Sequence, residues 1–435
     1  MQGEGLLMSR FEPLRVPERD GAAEGFGFVP CEGGVCAARG IRATGVSAGF
    51  RHNPDRRDLA LVVADRTCVC AGTFTKNRFC AAPVQVSRPR AASGHARAVV
   101  LNSGNANAAT GEQGLEVARA SARIVADALG CAAEEVLVAS TGVIGVPLGL
   151  ECFKVGVPAC VGQLERSIAA AHHAARAVMT TDTHSKQASY VGSLPAPGGG
   201  TVEVHVGGFA KGSGMIQPDM ATMLSVLSTD ASLTPKAARV ALGRAVSQSF
   251  NKVTVDSDTS TNDCCILFAT GEAELEAIDE DSAAFPAICA ALRATCEALA
   301  RQIAADGEGS TRLVTVDVMG AATEADADTV ARAVANSPLV KTAVFGHDAN
   351  WGRVASAAGK CNVAFDQRKV DIDLLGVPVC RGGLAVAMDE DDMLKRFKES
   401  EVPIAIDLGM GSCSTRVWTC DLTHDYVTIN GDYRT

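Results

Sequence analysis

The stretch Lys211-Gly-Ser-Gly-Met-Ile-Gln-Pro-Asp-Met-Ala-Thr222-Met-Leu puts a glycine-rich approach in front of a small residue and a threonine. A hydroxyl that attacks the carbonyl of the residue before it must reach backward along the chain, so the preceding side chain has to be small, and Ala221 meets that demand. Breaking the Ala221–Thr222 bond would give Thr222 a free α-amino group beside its own hydroxyl, and that amine can serve as the general base that activates it. One residue would then supply nucleophile and base. Taken alone, the stretch reads equally as a Gly-rich loop entering an apolar strand, Thr222-Met-Leu-Ser-Val-Leu-Ser. Ser140-Thr141-Gly142, after the apolar Glu135-Val-Leu-Val-Ala139, offers a hydroxyl and a backbone N–H in a turn, which is what a developing oxyanion needs fixed in advance. A strand-ending turn chosen for its geometry explains the same residues.

Strand, loop, helix is the recurring unit that would hold these groups. Leu59-Ala-Leu-Val-Val-Ala and Ala98-Val-Val-Leu read as buried strands, and Gly114–Leu129 carries apolar residues at helical spacing up to a stop at Gly130. A further helix is predicted from about Val161 through Leu164 and Ile168 to Val178, ending at the polar Thr180-Thr-Asp-Thr183. The turn-rich Leu194–Gly200 leads into the alternating Thr201–Val206, a half-exposed antiparallel strand. Helices near Pro235–Phe250 and Ala283–Ala304 and strands at Leu313–Val318 and Ile404–Asp407 follow. Such mixed order implies an α/β fold with helices layered on sheets. The first forty residues or so, with Pro13, Pro17, Pro30 and Gly33-Gly34, show no sustained period and read as an extended lead-in, with the fold proper starting near Ile41.

The 435 residues, 47% of them hydrophobic, suffice for one large core or two ordinary ones. A net charge of -10 argues against a groove that tracks nucleic-acid phosphates. The sixteen cysteines are spread along a chain that shows no secretory leader, and no Cys-x-x-Cys pair occurs; they read as reduced thiols that pack as small hydrophobes, with metal ligation as the rival reading. No apolar stretch reaches the roughly 18 uncharged residues of a membrane span, so a soluble protein is expected.

From about Gly45 to the last residue the chain resembles the ornithine acetyltransferase family, the bifunctional glutamate N-acetyltransferases of arginine biosynthesis. Besides the stretch ending at Thr222, the resemblance rests on Val99–Ala108, Ser140-Thr-Gly-Val-Ile-Gly145, Met179-Thr-Thr-Asp-Thr183, Ser249–Asp256 with Asp258-Thr-Ser-Thr-Asn-Asp263, Gly307-Glu-Gly309 and the terminal Asp425–Thr435. It implies a layered αββα-type sandwich akin to N-terminal nucleophile hydrolases, self-cleaved between Ala221 and Thr222 into an alpha chain of residues 1–221 and a beta chain of residues 222–435. It also implies acetyl transfer from N-acetylornithine to glutamate through an acetyl-Thr222 ester, with Thr141 and Gly142 as oxyanion donors. Thr180, Lys211, Thr222, Glu308, Asn430 and Thr435 would contact substrate, Lys211 suiting a carboxylate and Glu308 an ammonium. No metal or coenzyme is called for, although acetyl-CoA can be a second acetyl donor. Two processed protomers would form an α2β2 assembly, with no nucleic-acid or membrane partner. The family's pattern is departed from at Gly431, where alanine is common, and in His347-Asp-Ala-Asn-Trp351, which lacks a proline. Rival functions are a self-processing aminopeptidase of similar fold and an amino-acid sensor that binds without turnover.

Overall fold

Leu59–Phe74 forms one strand of sixteen residues whose ladder slips between Val63 and Cys68, where Asp65, Arg66 and Thr67 are exposed. Such an irregularity bends a sheet, and here, in the larger of two units, it separates the half of the strand that pairs with Ile41–Val46 from the half that pairs with Cys264–Ala269. The computed structural model describes residues 13–16, 23–51, 53–196, 198–217 and 223–432. The larger unit takes the described residues of Asp20–Asn251 and Ser257–Asp306. Along it run β1 (Val29–Pro30), β2 (Ile41–Val46), β3 (Leu59–Phe74), α1 (Ala82–Ala92), β4 (His95–Asn105), α2 (Gly111–Leu129), β5 (Val136–Val143), α3 (Glu151–Val161) and α4 (Ile168–Ala177). They are followed by β6 (Lys186–Pro195), β7 (Thr201–Lys211), β8 (Leu224–Thr229), α5 (Pro235–Ser247), β9 (Cys264–Ala269) and α6 (Phe285–Ala305).

The strands follow the order β1-β6-β7-β8-β9-β3-β4-β5, with β2 also on β3. The first half of β3 pairs with β2 and β4, the second half with β9. One apolar core draws Ile41, Val62, Val99 and Leu137 from the first side of the bend and Phe209, Val226, Ile266 and Phe268 from the other, together with Ala171 and Ala174 of α4. Because successive side chains of a strand point to opposite faces, Leu59, Leu61 and Val63 enter a second core with Val117, Val125, Phe153 and Val157 of α2 and α3. Helices α5 and α6 pack on each other and on β3, β6 and β7. The result is the layered α/β sandwich that the sequence implies.

The smaller unit comprises Lys252–Asp256 and Gly307–Asp432, with the described residues before Arg19. It holds β10 (Leu313–Ala321), α7 (Glu324–Ala335), α8 (Pro338–Phe345), α9 (Trp351–Gly359), β11 (Asp371–Leu374), β12 (Val377–Arg381), β13 (Leu384–Ala385), α10 (Glu390–Arg396), β14 (Glu401–Asp407), β15 (Cys413–Cys420) and α11 (His424–Asp432). Its sheet runs β13-β12-β11-β14-β10-β15. Val316, Val318, Val330, Val334, Ile372, Ile404 and Val417 form a core of its own.

Two sequence expectations need correction. The helix predicted from Val161 to Val178 starts later: α3 ends at Val161 and α4 begins only at Ile168, because Glu165 exchanges backbone hydrogen bonds with Ala43 of β2 and Ser167 then caps α4 by accepting from the Ala170 N–H. The lead-in is partly structured: β1 pairs with β6, and Phe28 and Val35 are fully buried. Cys36, Cys68, Cys70 and Cys264 do pack as buried hydrophobes, and burial pushes the thiols of Cys36 and Cys68 up to about 11 and about 12. Among the described residues no helix is long and apolar enough to cross a membrane.

Candidate active site

Two strand ends of the larger unit converge on the oxyanion candidates. At the end of β5, Gly142 has φ of 130°, and a Cβ there would lie 2.4 Å from the Gly104 carbonyl carbon and 2.6 Å from the Asn105 nitrogen. Only glycine lets β5 close on β4 here. Ser140, two residues earlier, is locked in place: its hydroxyl donates to Asn102 Oδ1 at 2.6 Å and its carbonyl accepts from Asn262 at 2.8 Å. Thr141 between them is half-buried, and Lys211 Nζ at the end of β7 lies 3.4 Å from its Oγ1. That contact is long for a hydrogen bond but places a cation beside the hydroxyl.

A buried chain of charges fixes the backbone around Lys211. Asp182 accepts from the Gly212 N–H at 2.7 Å with Oδ1 and from the Thr180 N–H at 2.9 Å with Oδ2. Lys186 Nζ donates to Asp182 at 2.7 Å and to Asp306 at 2.5 Å, and the side chains of all three are at most 4% exposed. Asp306, the residue after α6, also accepts from the Thr183 N–H, and its carbonyl accepts from the Ser213 hydroxyl at 2.7 Å. Burial opposes ionisation of Asp182, yet Lys211 and Lys186 outweigh it and hold the carboxyl well below the usual carboxylate range. Asp263, just before β9, goes the other way. It is buried, and that burial raises it well above that range although Lys211 pulls it down.

In the smaller unit Glu308 is buried, and Asn430 of α11 donates to its Oε2 at 2.7 Å. Gly309 has φ of 69°, with Tyr426 N only 2.6 Å from where a Cβ would stand, so the start of α11 rests on the glycine. Thr423 Oγ1 donates to the Gly309 carbonyl at 2.6 Å.

The expected site residues thus fall into two groups. Thr141, Gly142, Thr180 and Lys211 lie in the larger unit, where Lys211 meets Thr141 and Asp182 ties Thr180 to the turn after Lys211. Glu308 and Asn430 meet in the smaller one. Ala221, Thr222 and Thr435 lie outside the described residues. Asp182, Lys186, Asp263 and Asp306 were not expected as site residues. A lysine opening the buried and half-buried strand β6, four residues after Asp182, is the signal that could have found the first two.

The pattern of the ArgJ family matches residues 42–435. The chain belongs to the ArgJ family. This family's activity, acetyl transfer in arginine biosynthesis, is therefore that of the chain. The "Arginine biosynthesis bifunctional protein ArgJ" of Symbiobacterium thermophilum is 48% identical over 93% of this chain and 99% of its own. The chloroplastic protein of that name from Sorghum bicolor is 43% identical over 93% of this chain and 88% of its own. Among solved structures, the ArgJ protein of Bacillus halodurans is 38% identical, covering 47% of this chain and 97% of its own with a TM-score of 0.46. The ornithine acetyltransferase of Mycobacterium tuberculosis, crystallised with ornithine, is 38% identical, covering 44% of this chain and 98% of its own with a TM-score of 0.39.

Proposed function

We propose that the chain cleaves itself between Ala221 and Thr222 and that the new N-terminal threonine carries an acetyl group from N-acetylornithine to glutamate. The α-amine of Thr222 removes the hydroxyl proton as the oxygen attacks the acetyl carbonyl. The negative charge that develops on the carbonyl oxygen is met by Thr141 and the backbone at Gly142. Collapse of this intermediate breaks the C–N bond, ornithine leaves with the proton, and glutamate attacks the acetyl-threonine ester in the reverse sense. An amide is exchanged for an amide, so the site has mainly to exclude water from the ester. Lys211 receives a substrate carboxylate, Glu308 with Asn430 receives an ammonium, and Thr180 and Thr435 complete the contacts. The observation that carries the reading is Lys211, buried at the end of β7 against Thr141 and followed in the sequence by the glycine-rich stretch that leads to Thr222.

Intact mass and N-terminal sequencing, followed by incubation with N-acetylornithine and glutamate, test the proposal. Two chains meeting at Ala221/Thr222, with acetylglutamate formed, are expected. Thr222→Ala should stay full-length and inactive, and a cleaved, active variant would remove Thr222 from the mechanism. The word "bifunctional" in the relatives' names supports a second acetyl donor. Acetylglutamate made from glutamate and acetyl-CoA alone would identify it. We also propose that cleaved protomers pair as α2β2, which light scattering of the processed protein would measure.

A further inference from the structure

Asp263 is an enclosed carboxyl near Lys211 whose chemistry the acetyl-transfer cycle leaves unused. The residue is 4% exposed, and its Oδ2 finds no hydrogen-bond partner among the described residues. The Ser260 hydroxyl and the Met223 N–H donate toward the carboxyl, Lys211 lies near it, and the buried Cys264 thiol adjoins it. Its own backbone is held from both sides: the Asp263 carbonyl accepts from the Thr75 N–H at 2.9 Å, and the Cys264 N–H donates to the Met223 carbonyl at 3.1 Å. The parallel pairing of β8 with β9 starts at Leu224 opposite Cys264, so Asp263 sits where β9 runs beside the residue before β8.

Met223 follows Thr222 in the chain, and its nitrogen is three bonds from the Thr222 nitrogen, no more than about 4 Å away by bond lengths alone. A carboxyl anchored to the Met223 N–H is therefore anchored one residue from the bond that self-cleavage must break. That step has a specific need. When the threonine oxygen attacks the Ala221 carbonyl carbon, a C–O bond forms and the C–N bond breaks. The electron pair of the broken bond goes to the Thr222 nitrogen, a poor leaving group unless a proton arrives with it. The α-amine cannot supply general catalysis at this stage, because it does not yet exist.

We infer that Asp263 is the acid of self-cleavage: its carboxylic acid proton passes to the departing Thr222 nitrogen, and the carboxylate takes up the proton of the attacking hydroxyl. The exchange leaves Asp263 as it began, with an ester on the threonine oxygen and a free amine on its nitrogen. Water then hydrolyses the ester to the Ala221 carboxylate and the Thr222 hydroxyl. The inference rests on the proposed cleavage at Thr222. It also gives the enclosure of Asp263 a use, since an acid surrounded by solvent would be ionised at neutral pH and have no proton to give.

The test is Asp263→Asn in the full chain. The amide matches the neutral acid in shape, charge and acceptor oxygen and lacks only the transferable proton, so a residue that merely packs would tolerate it. Intact mass should show a chain that stays uncut while the wild type is cleaved, the cleavage rate falling by about 10²-fold or more, with near-UV circular dichroism like that of Thr222→Ala. A folded Asp263→Asn protein cleaved as fast as the wild type would overturn the assignment and leave Thr222 as nucleophile untouched. A wild-type chain that is never cut would instead sink the cleavage itself. An independent measurement needs no variant: freshly translated wild-type chain, timed in buffers of rising pH, should be cut more slowly as the acid loses its proton. Among the described residues, Lys211, Ser260 and Cys264 are the titratable or polar groups that face it. A cleavage rate that climbs steadily with pH, as for a simple hydroxyl attack, would also refute the assignment.

Discussion

Asp182 shows how a few buried charges shape the chemistry of residues that carry none. One carboxylate binds the backbone at Thr180 with one oxygen and at Gly212 with the other, and Lys186 neutralises it from below. Its acid form is disfavoured in the folded protein, so the stability it adds is fully present above the ordinary aspartate value of about 3.9 and is lost as pH falls through the depressed one. Asp182→Asn should therefore lower stability at neutral pH by about 3–5 kcal/mol, as expected when one partner of a buried ion pair is removed. The gap from the wild type should narrow on acidification below about pH 4. Thermal unfolding of both proteins between neutral and acid pH measures it, and a gap that is constant with pH would mean that the charge is not what matters. The sequence made Thr180 visible and left Asp182 as one letter of a polar block. Its partners lie at Lys186, Gly212 and beyond, and nothing local marks a carboxylate as buried.

At the scale of elements, legibility followed periodicity. Helix α2 was readable because its buried residues Val117, Ala118, Ser121, Ala122 and Val125 recur at helical spacing and Gly130 ends it in a left-handed cap. The break between α3 and α4 was hidden for the same reason: Val161, Leu164 and Ile168 stay in phase across it, although the chain leaves the helix to pair with β2. β1 was missed because a two-residue strand has no period of its own and exists only through β6. The junction of β4 and β5 is where element geometry meets the proposed oxyanion site. Gly142→Ala would drive a Cβ into the Gly104–Asn105 backbone, which has no flexible end to yield. The strand ends must then part, and acetyl transfer by the cleaved protein should fall by about 10²-fold or more if Gly142 lines the oxyanion site. Steady-state kinetics decide this, and a variant with wild-type kcat would take that role from the turn.

Over the whole molecule, the units and the proposed fragments do not coincide. The larger unit draws β1 to β7 from before residue 221 and β8, α5, β9 and α6 from after it. Cleaved protein should accordingly run as two bands under denaturing conditions and as one species in native gels, whereas fragments that drift apart without denaturant would contradict the shared sheet. Fold class was legible from the alternation of strands and helices, but this interleaving was not, since it depends on which distant strands become neighbours. Strand β8 states the matter most compactly. All six of its residues are buried, with β7 antiparallel on one side and β9 parallel on the other. A strand so placed is seated by folding and not by cutting, so the proposed scission would come last. The proposed amine would then work as a certificate of assembly: a ribosome product that fails to bring β7, β8 and β9 together would keep its peptide bond intact, and the cell would be spared an exposed nucleophile on a misfolded chain.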